Sequence, residues 1–258
     1  KDIVPDAVEF FTLKVRGLTG GHSGDDIQKG RANANKLLNR IVWQSTKDFG
    51  LRISHIDGGN LRNAIAREAF AVVCVPSMNT RSLIDFVNHF NSIAKEEYKV
   101  TEPDLKIIIE KAKKPEFLID IDTHHKLINS IYACPHGVIA WSADIPNFVE
   151  TSTNLASIKI KDNAITISTS QRSSVESAKE DICNMVSSVF KLAGAEVKHS
   201  DGYPGWKPNS NSEIVEITRK AYVDLFKNEP QIKAIHAGLE CGLIGHVYPS
   251  MDMISFGP

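Results

Sequence analysis

The sequence predicts an α+β fold for most of the chain, followed by a shorter α/β segment. Segments with strand and helix periodicity alternate in the order β-α-β-β-α-β, and a looser copy of that order follows. Glycine and proline then interrupt the pattern at residues 202–206, and the periodicity changes. The β-α-β-β-α-β order is typical of a ferredoxin-like motif, an antiparallel sheet with helices on one face. We therefore expect two ferredoxin-like units and then an α/β fragment.

The first unit begins with a strand in which Phe11, Leu13 and Val15 share one face. After a glycine-punctuated loop, apolar residues recur at helical spacing, which indicates an amphipathic helix that covers a sheet. Two β-rich segments, a second helix and a further strand complete the unit. The predicted elements are a strand at 10–15, a loop at 17–30, a helix at 32–43, strands at 51–56 and 69–75 with a loop at 57–67 between them, a helix at 83–93 and a strand at 105–109.

The second unit is predicted from shorter segments and from one regular apolar stripe that runs from Val175 to Phe190 at helical spacing. Its expected elements are a helix at 124–132, strands at 138–141, 155–160 and 164–170, the helix of the stripe, and an edge strand at 196–199. The break at residues 202–206 reads as a linker. We therefore place a domain boundary there.

The C-terminal segment has an αβαβ pattern. Ser210 or Asn211 could cap a helix at 212–226, strands are expected at 231–236 and 251–256, and a short helix lies near 240–244. Two strands do not make a stable sheet alone, so their partners are expected outside this sequence. The chain, which starts at Lys1 without methionine, is thus expected to be a piece of a longer protein; the alternative is a processed complete one.

Composition excludes several classes of function. Thirty basic residues against 31 acidic ones give a net charge of -1 without a basic stripe, which argues against a nucleic-acid partner. The apolar runs are far shorter than the roughly 20 residues that span a bilayer, which argues against membrane insertion. The four cysteines lie far apart with no CxxC pair, which favours a reducing, cytoplasmic location and gives none of them a catalytic role.

A glycine-flanked histidine is the first candidate for chemistry. Glycines on both sides of His22 let the backbone approach a ligand and leave the imidazole exposed, as a proton donor to a developing oxyanion requires. The alternative is a loop histidine that caps the following helix or faces water. The loop is not a phosphate loop, because neither GxxxxGK[ST] nor GxGxxG is present.

Several motifs resemble one peptidase family. Gly21-His22-Ser23-Gly24 followed by Gly30-Arg31-Ala32-Asn33-Ala34 resembles the lid signature of the co-catalytic zinc aminopeptidases, carboxypeptidases and carnosinase-like peptidases. Three further segments are similar to the cytosolic non-specific (aminoacyl-histidine) dipeptidase branch, and the resemblance spans nearly the whole chain. They are Gly58-Gly59-Asn60-Leu61-Arg62-Asn63-Ala64-Ile65, Tyr203-Pro204-Gly205-Trp206 and His236-Ala237-Gly238-Leu239-Glu240-Cys241-Gly242.

The resemblance implies roles for particular residues. His22 would polarise the scissile carbonyl and Asn63 would help to hold the substrate, although a turn asparagine is the alternative for Asn63. Arg172 would bind the substrate's C-terminal carboxylate through two N–H groups of its guanidinium, with Asn154 as its loop partner. The alternative for Arg172 is an ordinary surface arginine.

The last motif supplies two further substrate-binding candidates, Gly238 and Glu240. Glu240 would bind the free amino terminus of a dipeptide, or it is an acid that stabilises a helix N-terminus. One departure from simpler family members is that Cys74-Val75-Pro76 stands where they place an arginine.

The resemblance also implies two zinc ions and a metal-activated water, with ligands outside this chain. Adjacent helical residues such as His124 and His125 point about 100° apart and chelate poorly.

The expected domains are the end of the catalytic domain (1–8), a lid (9–202) with two similar halves that forms a homodimer, and a C-terminal piece of the catalytic domain (203–258). The first hypothesis is a zinc-dependent dipeptidase whose lid, inactive alone, contacts the dipeptide substrate. The second is a non-catalytic dimerisation or peptide-binding module.

Overall fold

Strands and helices alternate along the chain in the computed structural model, which describes residues 1–161, 163–200, 202, 204–206, 209, 212–232 and 240–256. The strands in these ranges are β1 (Val8–Arg16), β2 (Gly21–His22), β3 (Arg52–Gly58), β4 (Ala64–Ile65), β5 (Ala69–Pro76), β6 (Lys106–Lys111), β7 (Gly137–Trp141), β8 (Val149–Lys161) and β9 (Ala164–Ser173). The α-helices are α1 (Ala34–Phe49), α2 (Thr80–Glu97), α3 (Ile121–Ala133), α4 (Glu176–Leu192), α5 (Glu213–Phe226) and α6 (Glu240–Val247).

Most strands form one mainly antiparallel sheet. β1 lies between β5 and β6 and is antiparallel to both, and β3 pairs with the other side of β5. β8 follows β3 through Gly58 opposite Ile158, and β9 pairs with β8. The α+β class is therefore confirmed. The division into two ferredoxin-like units stays a prediction, since β8 extends the sheet of the first predicted unit.

The chain divides into two compact units. The first comprises Lys1–Gly137, Thr153–Ser170 and Met185–Val197. The second comprises Val138–Ser152, Gln171–Asn184 and the described residues from Lys198 onward. The expected boundaries at residues 8 and 202 stay predictions.

The core of the first unit lies between the sheet and helices α1 and α2. α1 packs on β1 and β5, and α2 packs on β5 and β6. Alternate strand residues and one face of each helix are buried there, which is the arrangement that the period-2 and helical patterns predict. The largest side chains buried in these elements are Phe11, Leu13, Leu37, Leu38, Ile41, Ile53, Ile56 and Leu83.

Helix α1 has well-defined ends. Asn33 caps its start, because its side-chain oxygen accepts the backbone N–H groups of Asn35 at 2.9 Å and Lys36 at 3.3 Å. Gly50 ends it in the left-handed region at φ 71°, where glycine is favoured. The helix is thus longer than the predicted 32–43.

Helix α3 is joined to α1 by one lysine. The ammonium of Lys36 donates to the carbonyl oxygens of Ile131 and Tyr132 at 2.8 Å and of Cys134 at 2.9 Å. These carbonyls belong to the C-terminal end of α3, where backbone acceptors lack partners within the helix. Lys36 therefore satisfies the end of a neighbouring helix.

The second unit contains its own strand and helix contacts. The hydroxyl groups of Thr151 and Ser173 lie 2.8 Å apart across β8 and β9, and Ser174 donates its N–H to the carbonyl of Glu150 at 3.0 Å. Ser212 caps α5 by accepting the N–H of Val215 at 3.2 Å. The sequence prediction named Ser210 or Asn211, which lie outside the described residues.

Three strands predicted near the C-terminus are not supported by the described residues. The prediction of a strand at 196–199 is wrong, because those residues have no regular structure. The strand at 251–256 is also wrong: Asp252 instead accepts the Ser212 hydroxyl at 2.9 Å and the Ile214 N–H at 3.1 Å, so this segment contacts the start of α5. For the strand at 231–236, residues 231–232 are not in a strand and 233–236 lie outside the described residues.

Candidate active-site lid

A short two-stranded ladder brings two of the predicted site residues together. In the pairing of β2 with β4, His22 lies opposite Ala64, and the N–H of Ser23 donates to the carbonyl of Asn63 at 2.8 Å. The loop with His22 and the loop with Asn63 are thereby joined side by side. The sequence prediction described both segments as loops and missed this ladder.

The hydrogen bonds of His22 indicate which of its two ring nitrogens carries the hydrogen. Its Nδ1 accepts the backbone N–H groups of Gly24 and Asp25, each at 3.3 Å. A neutral ring with Nδ1 as acceptor carries its hydrogen on Nε2. The Asp25 carboxylate also lies 3.3 Å from Nδ1. With Nδ1 accepting the two backbone N–H groups, Nε2 is the donor nitrogen, and the side chain is 39% exposed.

Two charged residues frame the loop that carries His22. The Asp26 carboxylate accepts the His22 N–H at 2.8 Å and lies 3.3 Å from the Arg31 guanidinium, which also donates to the carbonyl of Gly20. A hydrogen bond from Lys29 lowers the pKa of Asp26 below its ordinary value, and the His22 N–H and Arg31 act in the same direction against the effect of burial. A Cβ at Gly21 would collide with Arg31 and Asp26, so glycine is required there.

Asn154 supports the loop that carries Asn63. Its side-chain amide donates to the carbonyl of Ala64 at 2.9 Å and to that of Arg62 at 3.4 Å, on either side of Asn63. Asn154 is 1% exposed, whereas Asn63 is exposed in a turn. The structure thus brings His22, Asn63 and Asn154 together in the first unit, with Asn154 bonded to the protein backbone.

Two of the remaining predicted site residues, Arg172 and Glu240, belong to the second unit. Arg172 lies in β9 and is half-buried, with Nε shielded from solvent. Glu240 is exposed in the first turn of α6, a position that also fits the alternative of an acid at a helix N-terminus. Gly238 lies outside the described residues.

The described part of the chain does not provide the zinc site that the resemblance implies. Within it, no group of three or more His, Cys, Asp or Glu side chains could hold a metal ion. His124 is fully buried and bonded to Thr46 at 2.9 Å and to the N–H of Ile53 at 3.3 Å, so both ring nitrogens are in use. The four cysteines are free, and burial raises the pKa of Cys134 to about 11, so its thiol is protonated at neutral pH.

Sequence reasoning missed the residues that hold the site loops. Asp26 lies four positions after His22 and Arg31 lies in the lid signature, so their nearness to His22 in the sequence could have identified both as residues that hold its loop. Asn154 was identified through the resemblance, but its contact with the Asn63 loop had no local signal, since 90 residues separate it from Ala64.

Comparisons with known proteins identify relatives of this chain. Residues 13–102 match the family described as the peptidase dimerisation domain. The chain is 39% identical over its full length to the cytosol non-specific dipeptidase of Escherichia coli and covers 53% of that protein. It matches the crystal structure of aminoacylhistidine dipeptidase from Vibrio alginolyticus with a TM-score of 0.94 and 40% identity, covering 100% of this chain and 53% of the other.

The chain therefore spans about half the length of these relatives. None of the helices formed by the described residues is long and apolar enough to cross a membrane. The resemblance inferred from the motifs is confirmed, since this chain is similar along its whole length to the cytosolic non-specific, or aminoacyl-histidine, dipeptidases, and its residues 13–102 match the peptidase dimerisation domain family.

Proposed function

We propose that the full-length protein, meaning this chain together with whatever its gene encodes on either side, is a zinc-dependent cytosolic dipeptidase. The chain supplies the lid that contacts the substrate, and it is inactive by itself. The proposal rests mainly on the His22 ring. Its Nδ1 accepts two backbone N–H groups, which leaves Nε2–H as a donor, and the ring belongs to the loop that pairs with the loop of the exposed Asn63. Similarity to two dipeptidases supports the substrate class.

His22 would act on the carbonyl of the scissile peptide bond. As the carbonyl carbon is attacked, its oxygen gains negative charge, and a positioned N–H donor stabilises that charge more than it stabilises the ground state. Removing one such donor from a hydrolase costs about 10²–10³ in kcat. The backbone hydrogen bonds to Nδ1 keep the ring from rotating away, which limits reorganisation during the reaction.

The other candidates would bind the rest of a dipeptide. Asn63 would hydrogen-bond to the substrate, and Asn154 would act through the loop that it holds. Arg172 would pair with the C-terminal carboxylate, and Gly238 and Glu240 would bind near the free amino group. The zinc ions belong to the proposal through the resemblance, with ligands outside the described residues.

A second function is favoured by the match to a peptidase dimerisation domain. A chain with this domain can serve as a non-catalytic module that dimerises or binds peptides. In the leading proposal the same domain forms a homodimer of the enzyme. Sedimentation of the full-length protein tests the homodimer independently of its activity.

Hydrolysis of dipeptides by the full-length protein tests the proposed function. We expect cleavage of several dipeptides, including Xaa-His, loss of activity with a chelator and recovery with zinc, while residues 1–258 alone show none. A full-length protein that dimerises but cleaves no dipeptide would support the non-catalytic module. Zinc-dependent cleavage by residues 1–258 alone would contradict the claim that this part is inactive.

A further inference from the structure

A buried glutamate lies at the base of the His22 loop. Glu102 follows α2 and is 1% exposed. Its backbone is fixed by hydrogen bonds, since its N–H donates to the carbonyl of Tyr98 at 2.8 Å and its own carbonyl accepts the N–H of Leu105 at 3.2 Å. A buried carboxylate is costly unless hydrogen bonds compensate for its lost hydration. The partners of Glu102 therefore indicate what the residue does.

Both carboxylate oxygens of Glu102 accept backbone N–H groups from the two ends of one loop. Oε2 accepts the N–H of Thr19 at 2.6 Å, and Oε1 accepts the N–H of Ala32 at 2.9 Å. The loop between these residues contains His22. Hydrogen bonds to an ionised acceptor are about twice as strong as neutral ones, so this carboxylate joins the ends of the loop firmly.

The neighbouring residue Thr101 reinforces the connection. Its carbonyl accepts the Thr19 hydroxyl at 3.1 Å, and its own hydroxyl donates to the carbonyl of Gly30 at 3.2 Å. Two consecutive residues after α2 therefore bind both ends of the loop. We call Thr101 and Glu102, with their bonds to Thr19, Gly30 and Ala32, the Glu102 clasp.

We propose that Glu102 is a positioning residue for His22, holding the base of the loop so that the Nε2–H donor keeps its place over the reacting carbonyl. This inference rests on the proposed dipeptidase function. Because misplacement of a catalytic group by about 1 Å can cost 10²-fold in rate, a loop fixed at both ends has a direct effect on turnover. Glu102 is buried and acts through the loop.

The replacement Glu102→Gln tests the proposal in the full-length protein. A glutamine has one acceptor oxygen and a donor NH₂ group, so it accepts only one of the two backbone N–H groups and presents a donor to the other. Hydrogen exchange of residues 18–32 and steady-state kinetics with a dipeptide are the two measurements. Glu96→Gln is the matched control, because Glu96 lies exposed at the end of α2 and pairs only with Lys99 among the described residues.

We expect Glu102→Gln to speed exchange within residues 18–32 and to lower kcat by about 10–100-fold, while KM stays within about threefold and zinc content is unchanged. Exchange in the strands β1 and β5 should stay as in the wild type, and Glu96→Gln should match the wild type throughout. A general structural role would instead raise exchange in the sheet as well. Unchanged exchange of the loop, or unchanged kcat despite faster exchange, would overturn the proposal.

A milder variant keeps the test decisive if Glu102→Gln does not fold. Thr101→Val removes the hydrogen bond to Gly30 and leaves Glu102 in place, so exchange of residues 18–32 and kcat should change in the same directions by smaller amounts. No change in either quantity would count against the clasp. If the wild-type protein cleaves no dipeptide, the proposed function fails, whereas the exchange measurement still decides whether Glu102 holds the loop.

Discussion

The backbone N–H of Ser23 donates to the carbonyl oxygen of Asn63 at 2.8 Å, and this bond extends the ladder in which His22 lies opposite Ala64. An imidazole donor and an exposed amide are thus placed on adjacent segments by main-chain hydrogen bonds. Main-chain bonds do not depend on side-chain rotamers, so the two segments keep this arrangement without a ligand. The proposed role of His22 in stabilising a transition state requires such preorganisation.

Replacing Asn154 by aspartate should disturb the Asn63 loop. The carboxylate would face the carbonyl oxygens of Arg62 and Ala64, which accept the asparagine amide in the native protein. Loss of these bonds in a buried position should lower the free energy of unfolding by about 1–3 kcal/mol and raise KM for dipeptides in the full-length protein. Urea unfolding and steady-state kinetics measure the two effects.

Asn129→Asp is the control for that experiment. Asn129 is exposed and its side-chain oxygen accepts the Trp43 indole N–H at 2.8 Å, a role that aspartate keeps. It should leave stability and KM close to their native values. An Asn154→Asp protein with native KM and stability would show that Asn154 does not support the loop.

Replacing Lys36 by methionine should destabilise the first unit. Three carbonyl oxygens at the end of α3 would lose their donor, although the methionine keeps most of the apolar stem. We expect a loss of about 2–3 kcal/mol in the free energy of unfolding, because hydrogen bonds from charged groups contribute about 1.5–3 kcal/mol. Lys95→Met, at an exposed position of α2, should change it by less than about 0.5 kcal/mol. Equal effects of the two replacements would refute the role of Lys36.

Stability should fall as the pH drops from about 6.5 to about 4. Burial lowers the pKa of His124 and of His136 from 6.5 to about 4, with Arg52 and His125 adding to the effect at His124 and Lys36 at His136. Because the unfolded state binds protons at higher pH than the folded state, the stabilisation is complete above pH 6.5 and is lost as the pH falls through this range. Each histidine should contribute about 3 kcal/mol to the free energy of unfolding above pH 6.5.

Urea unfolding at several pH values measures this dependence. In His124→Gln the slope between pH 6.5 and 4 should fall to about half, since His136 still titrates, and the double replacement with His136→Gln should remove most of it. A slope that is the same in the wild type and the double variant would contradict the assignment.

The sequence predicted elements well where burial and periodicity coincide. Leu37, Leu38 and Ile41 are all fully buried on the inner face of α1, as their spacing indicates. The end of that helix was missed by six residues, from Trp43 to Phe49, although Gly50 offered a standard stop signal. Alternation at residues 251–256 shows only which residues share a face. Whether a strand forms depends on a partner, and that information is not local.

The candidate site was partly predictable for the same reason. His22 and Asn63 stand in local glycine-rich motifs that the sequence displays directly. The contacts that hold them come from Asn154 and Glu102, which are distant in the sequence and become neighbours only through the sheet and the turn after α2. No local pattern distinguishes such residues from ordinary polar ones.

Steady-state kinetics of the full-length protein with His22→Ala, together with its zinc content, test the central claim most directly. His89→Ala, at an exposed position of α2, is the control and should behave as the wild type. Loss of the Nε2–H donor should lower kcat for a dipeptide by about 10²–10³-fold while the protein keeps its full zinc content. A variant that retains kcat within about threefold, or that loses zinc and turnover in equal measure, would contradict the role of His22 as the lid donor to the transition state.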